Sequence, residues 1–159
     1  MRRKAKAPRP VLTPEQKKKR TRNFILIIVI LVAATIACYW MMPQSKPLSE
    51  SQLYDEEEVE NLSRQIVTLV NDEDYDTLSS MVVPDMQEIM NSERMNEGKA
   101  RVAEDWGDFE SIENIQTIEI TQRGNHIAAA YVTAKYQNVE VHYTFAFNQD
   151  MKLASFGVQ

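Results

Sequence analysis

The chain has 159 residues, which leaves room for one domain and its attachments. Its formal net charge of −5 is unevenly divided. Residues 1–23 carry ten Lys or Arg against one Glu, whereas residues 24–159 carry eight against twenty-two Asp or Glu. A single cysteine excludes an intramolecular disulfide. No stacking aromatic residue and no helix-turn-helix pattern accompanies the basic segment, so we expect no nucleic-acid binding.

Residues 24–42 form an apolar run of nineteen residues without a charge. A helix of that length spans roughly 28 Å, close to the hydrocarbon thickness of a bilayer. The run therefore predicts a single transmembrane helix. Ten basic residues precede it and only Lys46 occurs in the twenty residues after it. This asymmetry places residues 1–23 as a cytoplasmic tail and the C-terminal part outside the cytoplasmic membrane.

Cys38, near the end of the run, allows a second interpretation: a cleaved lipoprotein signal in which this cysteine is lipidated. Two features oppose it. Thr35 stands where such signals have an aliphatic residue, and residues 39–42 are apolar where a mature lipoprotein turns polar. The basic segment is also long for a cleaved signal. We therefore predict an uncleaved anchor, with the lipoprotein as the alternative.

Residues 43–52 are polar and contain Pro47, which predicts a short linker. Residues 53–159 then form the folded, extracytoplasmic domain. Its first half is helical by pattern: apolar side chains recur at three- and four-residue steps within residues 54–74, and shorter helices are predicted after them, the last over residues 92–105 with Ser92 as its N-cap.

The second half alternates with the period of a strand. Ile118 and Ile120 alternate with polar neighbours, which predicts a half-buried strand, and residues 123–125 have turn composition. Three further strands follow, and one of them, residues 139–147, carries its Val, Tyr and Phe side chains on a single face. Helices followed by hairpin-linked strands predict an α+β domain: helices packed on an antiparallel sheet of about four strands.

Three stretches carry a resemblance to a known family: NDEDY at residues 71–75, WGDF at 106–109 and LASFG at 153–157. With the order of the elements between them, residues 55–158 resemble the extracytoplasmic domain-of-unknown-function 3887 family of bacterial lipoproteins and membrane-anchored proteins. The resemblance implies a curved sheet with a helical lid, the cone of the nuclear-transport-factor-2-like or cystatin-like group. It implies no activity and no catalytic residues.

Few residues offer chemistry. His126 and His142 are the domain's two histidines, and neither has the spacing of a metal ligand set. Glu140 and His142 lie at i, i+2 on one strand face, where a carboxylate could orient an imidazole. Tyr131 and Trp106 are best explained as part of a filled core, and in a cone-shaped fold they are also weak candidates to line a ligand pocket.

We therefore expect no enzyme activity, no cofactor and no metal. The leading prediction is a membrane-anchored, non-catalytic binding or assembly module of the bacterial cell envelope with a protein partner. The alternatives are a small-ligand-binding or weakly catalytic cone, and the sensor part of a membrane signalling complex.

Overall fold

The computed structural model describes residues 14–159. It divides into two compact units, one that ends at Met42 and one that spans Pro43–Gln159. Of the predicted basic tail, residues 1–13 lie outside the described residues. The remainder, 14–23, is helical and belongs to the first unit.

Helix α1, Pro14–Met41, is the whole of the first unit's described structure. It contains the predicted apolar helix but begins earlier, at Pro14, because proline is favoured in the first turn and no helix breaker separates it from the apolar run. Pro43 follows its end. Within α1, the segment Lys18–Tyr39 is long and apolar enough to cross a membrane. Cys38 is exposed on this segment.

The second unit begins with strand β1, Gln44–Pro47, and a 3-10 turn, Leu48–Glu50. Four helices and four strands follow: α2 (Glu56–Asn71), α3 (Tyr75–Met81), α4 (Pro84–Gln87), α5 (Ser92–Val102), β2 (Phe109–Gln122), β3 (Asn125–Tyr136), β4 (Glu140–Phe147) and β5 (Leu153–Val158). The five strands form one antiparallel sheet in the order β1-β2-β3-β4-β5. The α+β prediction is confirmed.

The predicted strand count of about four is wrong by one, because the predicted linker supplies the fifth strand. Residues 44–47 pair with β2, with Gln44 opposite Thr121 and Pro47 opposite Ile118. Leu48, just beyond, is 1% exposed and belongs to the core. A four-residue strand that contains a proline has too little hydropathy to be recognised by pattern, and proline is tolerated here because β1 is an edge strand.

The amphipathic helix predicted over residues 54–74 is confirmed as α2. Asp55 caps it, since its side chain accepts a hydrogen bond from the Glu58 N–H at 3.0 Å. Val59, Ile66 and Val70 are buried on one face, and α2 packs over β2 and β3. The small side chains of β3 allow this close approach.

Helix α5 begins where expected, but its cap is Asn91 rather than Ser92. The Asn91 Oδ1 atom accepts from the Arg94 N–H at 3.0 Å, and Ser92 is the first helical residue. Asparagine is at least as good a cap as serine, so either choice satisfies the free N–H groups of the first turn. The turn at residues 123–125 is also confirmed, with Gly124 at φ +80°.

We call the face of the sheet that packs against the helices the inner face, and its opposite the outer face. On β4 the inner side chains are those predicted: Val141, Tyr143, Phe145 and Phe147 are buried. On β2 the polar side chains, rather than the apolar ones, face the helices. Thr117 and Glu119 are buried on the inner face, while Ile118 and Ile120 are partly exposed on the outer face.

Candidate functional site

The predicted pair Glu140 and His142 lies on the outer face of β4. The His142 Nε2 atom is 3.4 Å from the Glu140 Oε1 atom, and its Nδ1 atom is 3.3 Å from the Thr133 hydroxyl. Both members of the pair are about half exposed, at 53% and 52%. The spacing therefore does bring them together, but in contact with water, which is a poor environment for general-base catalysis.

The other two candidates, Tyr131 and Trp106, lie on opposite faces of the sheet. Tyr131 is on the outer face of β3, 41% exposed, in register with Gln116 and Thr144. Trp106, in contrast, is buried against the inner face. Three of the four predicted site residues therefore share the outer face, and Trp106 belongs to a different environment.

Trp106 forms one wall of a cavity between α5 and the inner face, which we call the α5 cavity. Its volume is about 340 Å³, within the range of small-molecule sites. Its lining is largely apolar and aromatic, with three basic side chains: Val70, Ile89, Met90, Arg94, Met95, Gly98, Lys99, Arg101, Trp106, Tyr143, Phe156 and Val158.

The aromatic wall of the α5 cavity is held in place by hydrogen bonds and ring packing. The Trp106 Nε1–H donates to the Lys99 carbonyl oxygen at 3.1 Å. The Trp106 ring meets the Tyr136 ring edge-on, with centroids 5.0 Å apart, and the Tyr143 ring at 6.3 Å. A fixed aromatic wall presents the same shape to any ligand without an ordering cost.

Tyr143, which is part of this wall, is connected to α2 through Tyr136 by buried hydrogen bonds. The Tyr143 hydroxyl lies 2.7 Å from the Tyr136 hydroxyl, which donates to the Asn71 Oδ1 atom. Burial raises the pKa of Tyr143 and that of Tyr136 above the ordinary tyrosine value. Both hydroxyls therefore stay protonated at physiological pH, and they serve as neutral hydrogen-bonding groups rather than as bases or nucleophiles.

The mouth of the α5 cavity is basic. Lys99 lies with its Nζ atom 5.4 Å from the centroid of the Trp106 ring, at cation–π distance, and 3.8 Å from the Glu73 Oε1 atom. Arg94 and Arg101 line the same cavity and are exposed. Sequence reasoning identified Trp106 but missed these three cations, since nothing in the spacing of α5 indicates what it covers.

A second polar cluster surrounds Glu119 on the inner face of β2. This carboxylate is 1% exposed, with Oε1 2.7 Å from His126 Nδ1 and Oε2 3.1 Å from Lys46 Nζ. The nearby Ser51 hydroxyl, His126 and Lys46 lower the pKa of Glu119 to about 2, although burial opposes them. In the sequence, the polar residues Thr117, Glu119 and Thr121 alternate along β2, and this pattern does not indicate that Glu119 is buried.

The partners of Glu119 make this cluster a structural ion pair. Tyr54 closes it, since its hydroxyl donates to the His126 carbonyl oxygen at 2.7 Å. A carboxylate with this many donors is fully ionised and weakly basic, which disfavours a role in proton transfer. Within residues 14–159, no group of three or more His, Cys, Asp or Glu side chains is placed to hold a metal ion.

The comparisons with known proteins support the fold. A solved NMR structure of a protein from Ruminococcus gnavus superposes with a TM-score of 0.58 at 21% sequence identity, over 67% of this chain and 92% of that one. At this identity the likeness concerns the fold alone. No curated protein matches the sequence. The family of proteins of unknown function DUF3887 matches residues 63–156, which is more than half of the chain and runs from the middle of α2 into β5. The chain therefore belongs to the DUF3887 family.

Proposed function

We propose that this protein is a membrane-anchored, non-catalytic binding module of the bacterial cell envelope, and that it binds its ligand in the α5 cavity. The observation that carries the proposal is that cavity, with its rigid aromatic wall and basic mouth. Concave sites of this size, lined by aromatic side chains with a few polar groups, are the usual form of small-molecule sites.

The anchor and its orientation come from the sequence. The segment Lys18–Tyr39 is apolar enough to cross a membrane. The excess of Lys and Arg before it supports a cytoplasmic N-terminus, with the folded domain on the other side.

The protonation and the solvent exposure of the candidate polar side chains support a binding role over catalysis. At the cavity, Tyr143 and Tyr136 are protonated and engaged with each other. On the outer face, Glu140 and His142 are open to water. Binding requires only shape and complementary charge, and the α5 cavity supplies both.

The proposal is tested by complementation of a deletion strain with variants that block each face. Gly98→Leu adds a side chain at a residue that lines the α5 cavity, while Gly98→Ala is its matched control, because an added Cβ at this position makes only an ordinary contact of 3.7 Å with Val158. The second arm is the double variant Glu140→Gln/His142→Ala on the outer face.

We expect Gly98→Leu to behave like the deletion, and Gly98→Ala and the outer-face variant to behave like wild type, with all three present in the membrane at equal levels. A folded outer-face variant that behaves like the deletion would contradict the proposal and direct attention to Glu140 and His142. A Gly98→Leu protein that complements fully would show that the α5 cavity is not the site.

A further inference from the structure

The α5 cavity gathers positive charge in a domain that is otherwise acidic. Residues 43–159 carry eight Lys or Arg against twenty-two Asp or Glu. Three of those eight, Arg94, Lys99 and Arg101, line this one cavity, and its lining within the described chain contains no acidic residue. Such a concentration of one sign of charge around a recess attracts the opposite sign.

Helix stability explains only part of this arrangement. Lys99 and Arg101 are in the last turn of α5, where the helix dipole favours cations. Arg94 is in the first turn, where the dipole disfavours a cation. Its presence beside the cavity therefore calls for another reason, and a bound anion supplies one.

The two arginines lie on one helix face and are available to a ligand. Arg94 and Arg101 are seven positions apart, on the same side of α5 as Gly98. Within residues 14–159, neither guanidinium has a carboxylate at ion-pair distance, whereas Lys99 is shared with Glu73. Guanidinium groups bind carboxylates and phosphates through paired hydrogen bonds.

The interior of the cavity has the opposite character. The side-chain polar atoms there already make hydrogen bonds within the protein. The Trp106 Nε1–H donates to the Lys99 carbonyl oxygen, and the Tyr143 hydroxyl is hydrogen-bonded to the Tyr136 hydroxyl. The remaining surface there comes from Met, Val, Ile and Phe side chains. A ligand must therefore place an apolar body inside and its acidic group at the arginines. A volume of about 340 Å³ is at the small end of ligand sites, so the ligand is small, on the order of ten heavy atoms.

We propose that the ligand of the α5 cavity is a small amphipathic anion: an apolar chain or ring of about ten heavy atoms that carries a carboxylate or a phosphate. The inference rests on the proposed function and names its ligand class. Arg94 and Arg101 bind the acidic group, and the wall formed by Trp106, Tyr143 and Phe156 contacts the apolar part. The same chemistry, an acidic group joined to an apolar chain, is available from a free acid in solution or from an anionic lipid of the membrane, of which only part of one chain would fit the cavity.

The test uses the full chain in phosphatidylcholine nanodiscs with Trp40→Phe, so that Trp106 is the single tryptophan and reports on the cavity. Four probes are titrated against its fluorescence, with empty nanodiscs subtracted: octanoate, octyl phosphate, 1-octanol and inorganic phosphate. We expect octanoate and octyl phosphate to bind saturably, 1-octanol to bind about tenfold more weakly, and inorganic phosphate to have no effect.

The variant Arg94→Gln/Arg101→Gln should weaken octanoate binding about tenfold or more and leave 1-octanol binding unchanged. Arg64→Gln/Arg123→Gln is the matched control: it also removes two arginine charges, at residues that do not line the cavity, and Arg64 pairs with Glu60 at 3.6 Å. This control should bind octanoate as wild type does.

The outcomes separate the two proposals. Equal binding of octanoate and 1-octanol, or octanoate binding that the arginine variant does not change, overturns the anionic ligand and leaves the cavity as an apolar site. If none of the four probes binds saturably, the proposed function is overturned as well. Replacing phosphatidylcholine by phosphatidylglycerol identifies the source: competition with octanoate indicates a membrane lipid, and unchanged octanoate binding indicates a soluble acid.

Discussion

Glycine-to-alanine substitutions at three positions test the geometry around the α5 cavity, because each position isolates a different physical effect. Gly98 is inside α5, and a Cβ added there would be 3.7 Å from Val158 Cγ1, an ordinary contact. Glycine is about 0.8–1 kcal/mol less favourable than alanine in a helix interior. We expect Gly98→Ala to raise the free energy of unfolding by about 0.5–1 kcal/mol.

Gly107, next to Trp106, should respond in the opposite direction. It has φ +71°, and an added Cβ would be 2.7 Å from Gln137 Cβ. The neighbouring turn cannot withdraw easily, since the Asn138 N–H donates to the Trp106 carbonyl oxygen at 3.0 Å. The left-handed backbone costs alanine about 1–2 kcal/mol and the overlap about 1–3 more, so Gly107→Ala should lower stability by about 2–5 kcal/mol.

Gly124 provides the control for backbone strain alone. It has φ +80° in the β2–β3 turn, with nothing within 4 Å of an added Cβ. We expect Gly124→Ala to cost about 1–2 kcal/mol, so that the difference between Gly107 and Gly124 measures the overlap with the Gln137 turn.

Urea unfolding of residues 43–159, followed by Trp106 fluorescence and by circular dichroism, measures all three substitutions. The reasoning is refuted if Gly107→Ala is no more destabilising than Gly124→Ala. A destabilising Gly98→Ala would show that α5 lies closer to Val158 than the structure has it, and that the α5 cavity is smaller.

Other predictions concern the core, the buried carboxylate and the anchor. Phe145→Ala should lower stability by about 3–5 kcal/mol, because the ring is 0% exposed; a loss under about 1 kcal/mol in urea unfolding would contradict this burial. The pKa of Glu119, lowered from 4.5 to about 2, contributes about 3 kcal/mol of stability that is present above about pH 5 and is lost as the pH falls toward about 2; Glu119→Gln should flatten that part of the pH dependence of the urea midpoint. A fragment of residues 43–159 should melt cooperatively and at a higher temperature than 53–159, which lacks β1; equal melting temperatures would contradict the role given to that strand. Intact mass of the membrane-extracted protein should show an unlipidated Cys38 in an uncleaved chain, and a loss of residues 1–37 with an added diacylglyceryl group would establish the lipoprotein alternative.

The elements that could be predicted from the sequence are those whose hydropathy has a clear period and whose burial comes from one large core. Helix α2 repeats apolar residues on one face, and β4 alternates from Val141 to Phe147, so each carries its own indication of which side is buried. Positive-φ turns such as the one at Gly124 are also local, because the glycine requirement is visible in a few residues.

The α5 cavity could not be predicted in the same way. Trp106 was recognised as a pocket or core residue, but a cavity is a property of the space between elements that are distant in sequence. Arg94 and Arg101 are ordinary solvated helix residues by pattern, and only the packing of α5 over β4 and β5 makes them neighbours of Tyr143 and Phe156. Conversely, Glu140 and His142 are adjacent by pattern, and the sequence does not show that their face of the sheet is open to water.

The inverted polarity of β2 and the missed strand β1 have one explanation. A carboxylate is buried only where it is paired and hydrogen-bonded, since an unpaired buried charge is strongly destabilising. For Glu119 the charged partner, Lys46, comes from residues 43–52, more than seventy positions earlier in the chain. Without that segment Glu119 would have to face water, and Ile118 and Ile120 would be the natural inner residues of β2. The polar segment that follows α1 therefore contributes to the choice of which face of β2 is buried, and neither segment can be assigned correctly from its own sequence.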